Sequence, residues 1–339
     1  MKKVLSMVAL GAAIVLAGCS KGIKVNPDKE KYVVGIAQFG DFEALNRSTA
    51  GFKDKLAALL TAEGRQVEWE YQNANGELTL AKTIVDTIVN KDVDLILANA
   101  TPCLTAAYNA TSYIPILGTS ITDYGVACNI EIQNGITKTN LSGTSDLAPL
   151  DQQASELKAW FDANTKPLNK VGLLYCSAEA NSKFQIDEIE KAFSTMGVAS
   201  QRYAFSESNQ LLSICQTAAD AVDAIYIPTD NTCADNTGII DSVFADKHIP
   251  VYAGEEGICF GKKGADNPTV GCGFATLSID YYRLGEITGE MAFDVLLGKK
   301  SITEYQIQYD KNPVKKYDET RATALGFSVV PAGYEKHTA

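Results

Sequence analysis

The feature that most constrains the fold is an alternation of short apolar strands with amphipathic helices. After residue 31 the run YVVGIAQF is apolar and β-branched, and EALNRSTAGFKDKLAALLTAEG then places apolar residues at helical spacing until Gly64. The same two patterns recur up to the buried run IPILGTS. Strands that alternate with helices form a parallel sheet with helices on both faces. This part of the sequence therefore predicts an α/β lobe.

The alternation occurs twice. It stops in ITKTNLSGTSDLAP, residues 136–149, which is rich in glycine and hydroxyl side chains, and it restarts with LDQQASELKAWFDANT. A chain of 339 residues is long enough for two domains of roughly 150 residues each. The fold class that we expect is α/β, with two doubly wound parallel-sheet lobes.

The end of the chain predicts a hinge of three strands between the lobes. CGFATLSIDYYRLGEITGEMAFDVLLGKK is a strand followed by a long helix, and TEYQIQYD is a further strand. We expect the first strand and its helix to return to the N-terminal lobe, and the second strand to complete the C-terminal lobe. The N-terminal lobe then comprises residues 32–140 plus 275–300, and the C-terminal lobe residues 141–274 plus 301–339. A cleft hinged in this way is suited to closing on a small molecule.

The first residues predict export and lipidation. Lys2 and Lys3 precede an apolar run that is too short for the roughly 20 residues that span a bilayer. Leu16-Ala17-Gly18-Cys19 matches the lipobox of bacterial lipoproteins, in which cleavage precedes an acylated cysteine. We expect residues 1–18 to be a lipoprotein signal peptide, Cys19 to carry the lipid, and residues 19–31 to be a flexible leash. An ordinary signal peptide with an accidental cysteine is the alternative.

The net charge of −11 disfavours nucleic acid and anionic membrane surfaces as partners, because binding to either depends on clustered Lys and Arg. We find no such cluster, so the expected contact with the membrane is through the lipid anchor alone.

Seven cysteines remain after Cys19: Cys103, Cys128, Cys176, Cys215, Cys233, Cys259 and Cys272. An odd number outside the cytosol implies at least one free thiol. Cys103 with Cys128 and Cys259 with Cys272 are the candidate disulfides. Buried free thiols are the alternative, since cysteine packs well as a small apolar residue.

Polar side chains follow the predicted strands, and ligands bind outside the carboxyl ends of parallel strands. These residues carry hydroxyl, amide and carboxylate groups, with Phe39 as the aromatic exception, and include no Lys, Arg or His. Such a lining suits a neutral, cationic or zwitterionic ligand. The candidate ligand-binding residues are Gln38, Phe39, Asp41, Asn99, Thr101, Thr119, Ser120, Ser145, Asp146, Ser177, Glu179, Asn181, Ser182, Thr229, Asp230, Asn231 and Glu255.

Two of these positions suggest roles. The segment CSAEANS lies where a strand turns into a helix, so a carboxylate could bind at the positive helix end between Ser177 and Ser182. Asp230 is a natural partner for an ammonium group. Both could instead be plain N-caps, which serine and aspartate favour. Tyr281 and Tyr282 fit core and surface positions better than ligand stacking.

The sequence offers little for catalysis. His248 and His337 are the only histidines, Gly271-Cys272-Gly273 lacks a third glycine, and a P-loop is absent. We therefore expect a non-enzyme without cofactor or metal. A hydrolase that uses Glu255 and Glu256 or a free cysteine is the remaining catalytic alternative.

The segments LSGTSDLAP, SAEANS, PTDNT and LSIDYYRLG resemble the substrate-binding lipoproteins of ABC transporters, in particular the tryptophan- and tyrosine-uptake type. The resemblance extends over the mature chain. It implies a type I periplasmic-binding-protein fold and an extracytoplasmic, lipid-anchored monomer that delivers an aromatic amino acid to a permease and its ATPase.

The resemblance also implies a ligand position, with the α-carboxylate near Ser177 to Ser182, the amine near Asp230, and Phe39 and Tyr124 as candidate stacking partners. A ligand-presenting surface sensor of the same fold, or a sugar or nucleoside ligand, remains an alternative.

Overall fold

The computed structural model describes residues 22–262 and 268–338; the predicted signal peptide and Cys19 lie outside these ranges. Strands and helices alternate along most of the chain. The strands are β1 (Lys31–Gln38), β2 (Gln66–Asn73), β3 (Leu95–Asn99), β4 (Ile116–Ile121), β5 (Leu141–Ser145), β6 (Lys170–Cys176), β7 (Ala199–Phe205), β8 (Ala224–Ile227), β9 (Val251–Ala253), β10 (Ala275–Ser278), β11 (Gln308–Tyr309), β12 (Val314–Tyr317) and β13 (Glu335–Lys336). The α-helices are α1 (Glu43–Ala62), α2 (Leu78–Asn90), α3 (Thr101–Ala110), α4 (Tyr124–Cys128), α5 (Leu150–Ala163), α6 (Ala180–Thr195), α7 (Leu211–Ala219), α8 (Asn231–Asp235), α9 (Thr237–Phe244), α10 (Glu256–Phe260), α11 (Tyr281–Leu296) and α12 (Glu319–Ala324).

Two sheets form the cores of two lobes, as the alternation predicts. In the described residues the first sheet has six parallel strands in the order β11-β5-β4-β3-β1-β2. The second has seven, in the order β13-β12-β10-β9-β8-β6-β7, and only the β10–β12 pairing is antiparallel. Helices cover both faces of each sheet and bury the central strands, as in other doubly wound folds.

The chain passes between the lobes after β5, after β10 and after β11, so three segments connect them. The strand pairing places three strands in the lobe opposite to the one expected from the sequence. Leu141–Ser145 was expected in the C-terminal lobe, but it pairs with β4 in the first sheet. Ala275–Ser278 was expected in the N-terminal lobe, but it pairs with β9 in the second. Gln308–Tyr309 likewise joins the first sheet beside β5. A strand's own residues do not reveal its partner, because pairing is decided by the neighbours available in the fold.

Helix α11 belongs to the first lobe, where it packs against α1 at very short range. A Cβ added at Gly285 would overlap the backbone carbonyl of Ser48, and one added at Gly51 would overlap that of Tyr282. The two glycines thus let the two helix backbones approach each other directly. This contact fixes α11 against the first lobe, while Tyr281 and Leu284 at the start of the helix pack in the hydrophobic core of the second lobe.

The described part of the expected leash lies against the first lobe. The backbone N–H of Lys24 donates to the carbonyl of Tyr113 over 2.7 Å, and the Lys29 ammonium group lies 2.5 Å from the Asp94 carboxylate. The Arg65 guanidinium donates to the carbonyl of Lys29 over 2.9 Å. The flexible leash expected over residues 19–31 therefore does not extend through residues 24–30.

The seven cysteines named above are all free thiols, so the expected Cys103–Cys128 and Cys259–Cys272 disulfides are not formed. Cys103, Cys259 and Cys272 are buried in the cores of the lobes. Burial raises the pKa of the Cys128 thiol to about 12. The alternative of buried free thiols is the one that the structure has, and protonated thiols are poor nucleophiles.

Within the described ranges, no helix is both long and apolar enough to cross a membrane.

We predict that Gly285→Ala destabilises the protein by about 1–3 kcal/mol, because the added methyl group must push α1 and α11 apart. The measurement is the free energy of unfolding in urea. Gly238→Ala, in helix α9 with open space around the added Cβ, is the matched control. The control should be neutral or more stable by up to about 1 kcal/mol. Equal effects of the two changes would contradict the close-contact explanation.

Candidate ligand-binding cleft

A cavity of about 30 Å³ lies between the lobes, where the carboxyl ends of the two sheets face each other. This volume holds about two water molecules, so the lobes are closed around it. The cavity is lined by Phe42, Ala44, Leu45, Thr101, Ser120, Thr122, Asp146, Asn181, Thr229, Asp230, Asn231, Ala234, Glu255 and Tyr281. No lysine, arginine or histidine belongs to this lining among the residues that the structure describes.

Asp146 forms the hinge side of the cavity, on the first crossing between the lobes. Its two carboxylate oxygens accept hydrogen bonds from the hydroxyls of Thr122 and Tyr281, each over 3.1 Å. Burial raises the pKa of Asp146 to about 6, although both hydrogen bonds oppose the shift. The crossing segment thus carries a buried acid into the cleft.

Asp230 lies on the second lobe and has a structural role as well. As the N-cap of α8, it accepts a hydrogen bond from the backbone N–H of Cys233 over 2.8 Å. Its other oxygen accepts from the N–H of Cys176 at the end of β6, over 2.7 Å. Burial raises the pKa of Asp230, and the negative charge of Glu179 raises it further. Asp230 therefore joins two strand ends while facing the cavity.

Glu255 is built in the same way. It is the N-cap of α10, and its carboxylate accepts hydrogen bonds from the backbone N–H groups of Gly257 and Ile258, over 2.5 and 2.6 Å. Burial raises the pKa of Glu255 to about 7, against the effect of these bonds. Three buried carboxyl groups therefore surround one small cavity.

Glu179 holds the backbone around Asp230. Its carboxylate accepts hydrogen bonds from the backbone N–H groups of Asn231 and Thr232, over 3.0 and 2.8 Å, and from both of their side chains, over 2.7 Å each. It is also the N-cap residue of α6. Glu179 is therefore a positioning residue.

Asn181, in the first turn of α6, lies in the cavity wall. Its amide nitrogen donates to the carbonyl of Thr229 over 3.0 Å. Its amide oxygen is buried and has no hydrogen-bond partner in the described structure. This oxygen is an acceptor that a ligand N–H group could satisfy.

The candidates from the sequence fall into two groups. Thr101, Ser120, Asp146, Asn181, Thr229, Asp230, Asn231 and Glu255 come together at the cavity. Gln38, Phe39, Asp41, Asn99, Thr119, Ser145, Ser177, Glu179 and Ser182 do not line it.

Three residues of the second group donate hydrogen bonds to backbone carbonyls. The Gln38 amide donates to the carbonyl of Gly40, and the Asn99 amide to that of Leu45, over 2.7 and 2.8 Å. The Ser177 hydroxyl donates to the carbonyl of Phe205 over 3.0 Å, which directs it toward β7.

The aromatic residues of the cavity are Phe42 and Tyr281, which the sequence argument did not select. Phe39, the expected stacking residue, is buried in the core of the first lobe against Phe42, with ring centroids 6.4 Å apart. Tyr124 is also buried, and its hydroxyl donates to the carbonyls of Gly118 and Thr144. Phe42 follows β1 by four residues, and this proximity to a strand end was the available signal.

Two residues beside the cavity have a backbone conformation that is uncommon for non-glycine residues. Ala100 directly follows β3 and has a φ value of 82°. Ser120, the next-to-last residue of the neighbouring strand β4, has a φ value of 56°. Such conformations cost on the order of 1–3 kcal/mol and concentrate at functional sites. Thr101, next to Ala100, and Ser120 both line the cavity.

A groove of about 470 Å³ shares Thr101 and Asn181 with the cavity and therefore adjoins it. Leu78, Pro102 and Ala106 of the first lobe contribute apolar surface to its walls. Its volume is within the range of small-molecule sites.

Ion pairs connect the lobes at the rim of the cleft. The Lys262 ammonium group pairs with Asp41, and the guanidinium of Arg47 lies 3.8 Å from Glu256. Arg47 also pairs with Asp280 on the second crossing, over 2.9 Å. Partly exposed pairs of this kind contribute modestly to stability, so they bias the lobes toward closure without locking them.

Comparisons with known proteins agree with this architecture. The model of the family described as "ABC transporter substrate binding protein" matches residues 33–313. A tyrosine-binding protein of Clostridioides difficile (strain R20291) is 29% identical over 343 residues, which cover 95% of this chain and 94% of that protein.

Two solved structures have similar identities but different degrees of structural similarity. The ABC domain from Streptococcus pneumonia in complex with L-Trp is 26% identical, with a TM-score of 0.79, covering 89% of this chain and 96% of that one. A ligand-free, open substrate-binding protein with adhesive properties from Clostridium difficile is 28% identical, with a TM-score of 0.65, covering 91% and 100%. The lower score against the open structure agrees with a closed cleft in this chain.

We predict that Glu179→Gln destabilises the protein by about 1–3 kcal/mol, because the amide nitrogen cannot accept the hydrogen bonds of one carboxylate oxygen. Chemical denaturation measures the loss. Glu188→Gln is the matched control, since Glu188 lies on the same helix in a surface pair with Lys191. The control should change stability by less than about 0.5 kcal/mol. A similar loss in both variants would show that Glu179 does not position the cleft.

Proposed function

The chain belongs to the family of ABC transporter substrate-binding proteins, and we propose that it is the lipid-anchored receptor of an importer for an aromatic amino acid. The family consists of substrate-binding proteins, which agrees with the lack of catalytic motifs. Delivery to a permease and its ATPase, attachment through Cys19 and the class of ligand are our inferences.

The observation that carries the proposal is the set of three buried carboxyl groups around a cavity without a cationic side chain in its described lining. A buried carboxylate needs a cationic or hydrogen-bonding partner, and a ligand ammonium group supplies both. We assign the ammonium group to the side of the cavity formed by Asp230. The unpartnered amide oxygen of Asn181 offers a further acceptor nearby.

The remaining parts of an amino acid match other walls of the cleft. The first turn of the 16-residue helix α6 begins at the cavity, and the unsatisfied N–H groups of a first turn attract a carboxylate. Phe42 and Tyr281 supply aromatic surface for a ring, in place of the Phe39 and Tyr124 expected from the sequence. The tyrosine-binding relative and the L-Trp complex support the aromatic class.

The direct test is isothermal titration calorimetry of the mature protein with L-tyrosine, L-tryptophan and L-phenylalanine. Native mass spectrometry of gently purified protein then identifies any molecule that co-purifies. Saturable binding of at least one of the three supports the proposal. Binding of a sugar or a nucleoside in their place would keep the fold and reject the ligand class.

We predict that Asp230→Asn weakens binding of the amino acid by about 2–5 kcal/mol, because the ammonium group loses its buried charged partner. Asparagine keeps an oxygen for the N-cap of α8, but its amide nitrogen cannot accept the hydrogen bond from Cys176 N–H, so the stability of the folded variant is measured beside its affinity. Calorimetric titration of both proteins with the same ligand measures the difference.

The matched control is Asp235→Asn, which removes the same charge from an exposed position at the end of α8. It should change the affinity by less than about 0.5 kcal/mol. An equally small effect of Asp230→Asn would place the ammonium group elsewhere in the cavity.

We also predict that the protein fractionates with membranes and that Cys19→Ser releases it, because several acyl chains on one residue anchor firmly at about 0.8 kcal/mol per buried methylene. Membrane fractionation and the mass of the mature N-terminal peptide measure the result. A mature chain that begins at another residue, or an unmodified Cys19, would contradict lipidation.

A further inference from the structure

The cavity concentrates acids to a degree that one ligand ammonium group does not balance. Asp146, Asp230 and Glu255 are only 3, 1 and 3% exposed, and all three line a volume of about 30 Å³. Each carboxyl group already accepts two hydrogen bonds from the protein, so the geometry of the three acids is fixed. The acids therefore cannot turn away from one another when the cleft closes.

The groups that surround these acids are themselves acidic or neutral. Asp146 faces the phenol of Tyr281, and the charge of Glu255 acts on the same phenol. Asp230 lies close enough to Glu179 to feel the charge of its carboxylate. It also accepts hydrogen bonds from the backbone N–H groups of Cys176 and Cys233.

Glu255 has Glu256 as its neighbour in sequence and senses the charge of Asp146. The titratable groups on every side thus add negative charge or none.

The nearby cations are engaged with other acids. Arg47 pairs with Asp280 and Glu256, and Lys316 lies 2.8 Å from Glu256. Lys262 pairs with Asp41 at the rim. None of these three side chains lines the cavity within the described ranges.

Burial in a small, water-poor volume disfavours an ionised carboxylate, and the negative charges of Glu179 and Asp146 add to this effect at Asp230 and Glu255. Burial accordingly raises the pKa of Asp146 to about 6 and that of Glu255 to about 7, and raises that of Asp230. The closed cleft therefore retains protons near neutral pH.

We infer that ligand binding exchanges a proton for a cation: the ligand's ammonium group displaces at least one proton held by one of the three cavity acids, Asp146, Asp230 and Glu255. The O–H bond of one carboxyl group breaks, its proton passes to the buffer, and the carboxylate pairs with the ammonium group, which keeps its own protons. The inference rests on the proposed function for the ammonium group, and names the cluster that selects a cationic ligand.

The exchange sets the direction of the pH dependence. Below about pH 6 the cluster must give up a proton before the ammonium group can bind, so the affinity should fall as the pH falls, by up to about tenfold per pH unit for one proton. Above the raised pKa values the cluster is already ionised, and the affinity should level off. A site with ordinary carboxylates would show no such fall between about pH 8 and pH 5.

The test is isothermal titration calorimetry with L-tyrosine and L-tryptophan at pH 6.5, in phosphate and in imidazole buffer. These buffers differ in their enthalpy of protonation, so the difference in observed enthalpy counts the protons released. We expect roughly 0.5–1 proton released per ligand bound. Equal enthalpies in the two buffers, with binding intact, would overturn the inference and leave the proposed function standing.

Three conservative variants locate the protons. Asp146→Asn, Asp230→Asn and Glu255→Gln each remove one titrating group, and at least one of them should abolish or halve the release. The control is His248→Asn, which removes an exposed imidazole far from the cleft at a left-handed position that asparagine tolerates. The control should release as many protons as the unchanged protein. A loss of release in the control alone would overturn the inference.

A second measurement does not depend on a ligand. Carbon-13 NMR of the side-chain carboxyl groups, recorded from pH 4 to pH 8, should show resonances that titrate at about pH 6–7 and disappear in the three variants. Ordinary titration of every carboxyl group below about pH 5 would overturn the inference. If none of the three amino acids binds but the raised titrations appear, the proposed ligand fails and the acidic cluster remains.

Discussion

Parallel pairing is the constraint on which the rest of the structure depends. Consecutive parallel strands need a crossover that brings the chain back to the starting edge, so the carboxyl ends of such strands emerge on one side. In this chain two such edges face each other, and the polar residues that follow the strands converge between them. The first turns of α3, α6, α8 and α10 are brought to the same place. The cleft is thus a consequence of connectivity, and its chemistry depends on the residues at the strand ends.

The residues that face the cleft also hold its walls together. Asp230 and Glu255 each cap a short helix and also line the cavity, so a structural role does not exclude contact with a ligand. Glu179 supports the cavity without lining it, because its carboxylate accepts hydrogen bonds from the backbone N–H groups of Asn231 and Thr232, beside Asp230. Such support keeps the acids together against their mutual repulsion. Hydrogen bonds from backbone N–H groups to Asp230 and Glu255, and from the hydroxyls of Thr122 and Tyr281 to Asp146, offset part of the energetic cost of this arrangement.

The three crossings and the rim determine how the lobes can move. The crossings carry Asp146 and Asp280, and the rim pairs Lys262 with Asp41. Helix α11 is held against α1, while the side chain of its first residue, Tyr281, packs in the core of the second lobe, which also carries Asp230 and Glu255; Asp146 lies at the first crossing. Opening the cleft would therefore separate acids and admit water between them, and closing it would bring them together. The lobe motion and the charge state of the cluster are physically coupled for this reason.

The sequence by itself determined the fold class, the duplication, the existence of three crossings and the edge of the sheets at which the cavity lies. These follow from periodicity and from helix and strand signals, which are local properties. It also indicated Asp146, Asp230 and Glu255 as cleft residues. Only the tertiary structure decided that β10 belongs to the second sheet, that Phe42 and Tyr281 rather than Phe39 and Tyr124 face the cavity, and that Ser177 points toward β7. These outcomes depend on which distant strand is available for pairing and on the direction of each side chain at a strand end. Neither is encoded in the spacing of apolar residues, because neighbouring residues in an extended chain point to opposite sides.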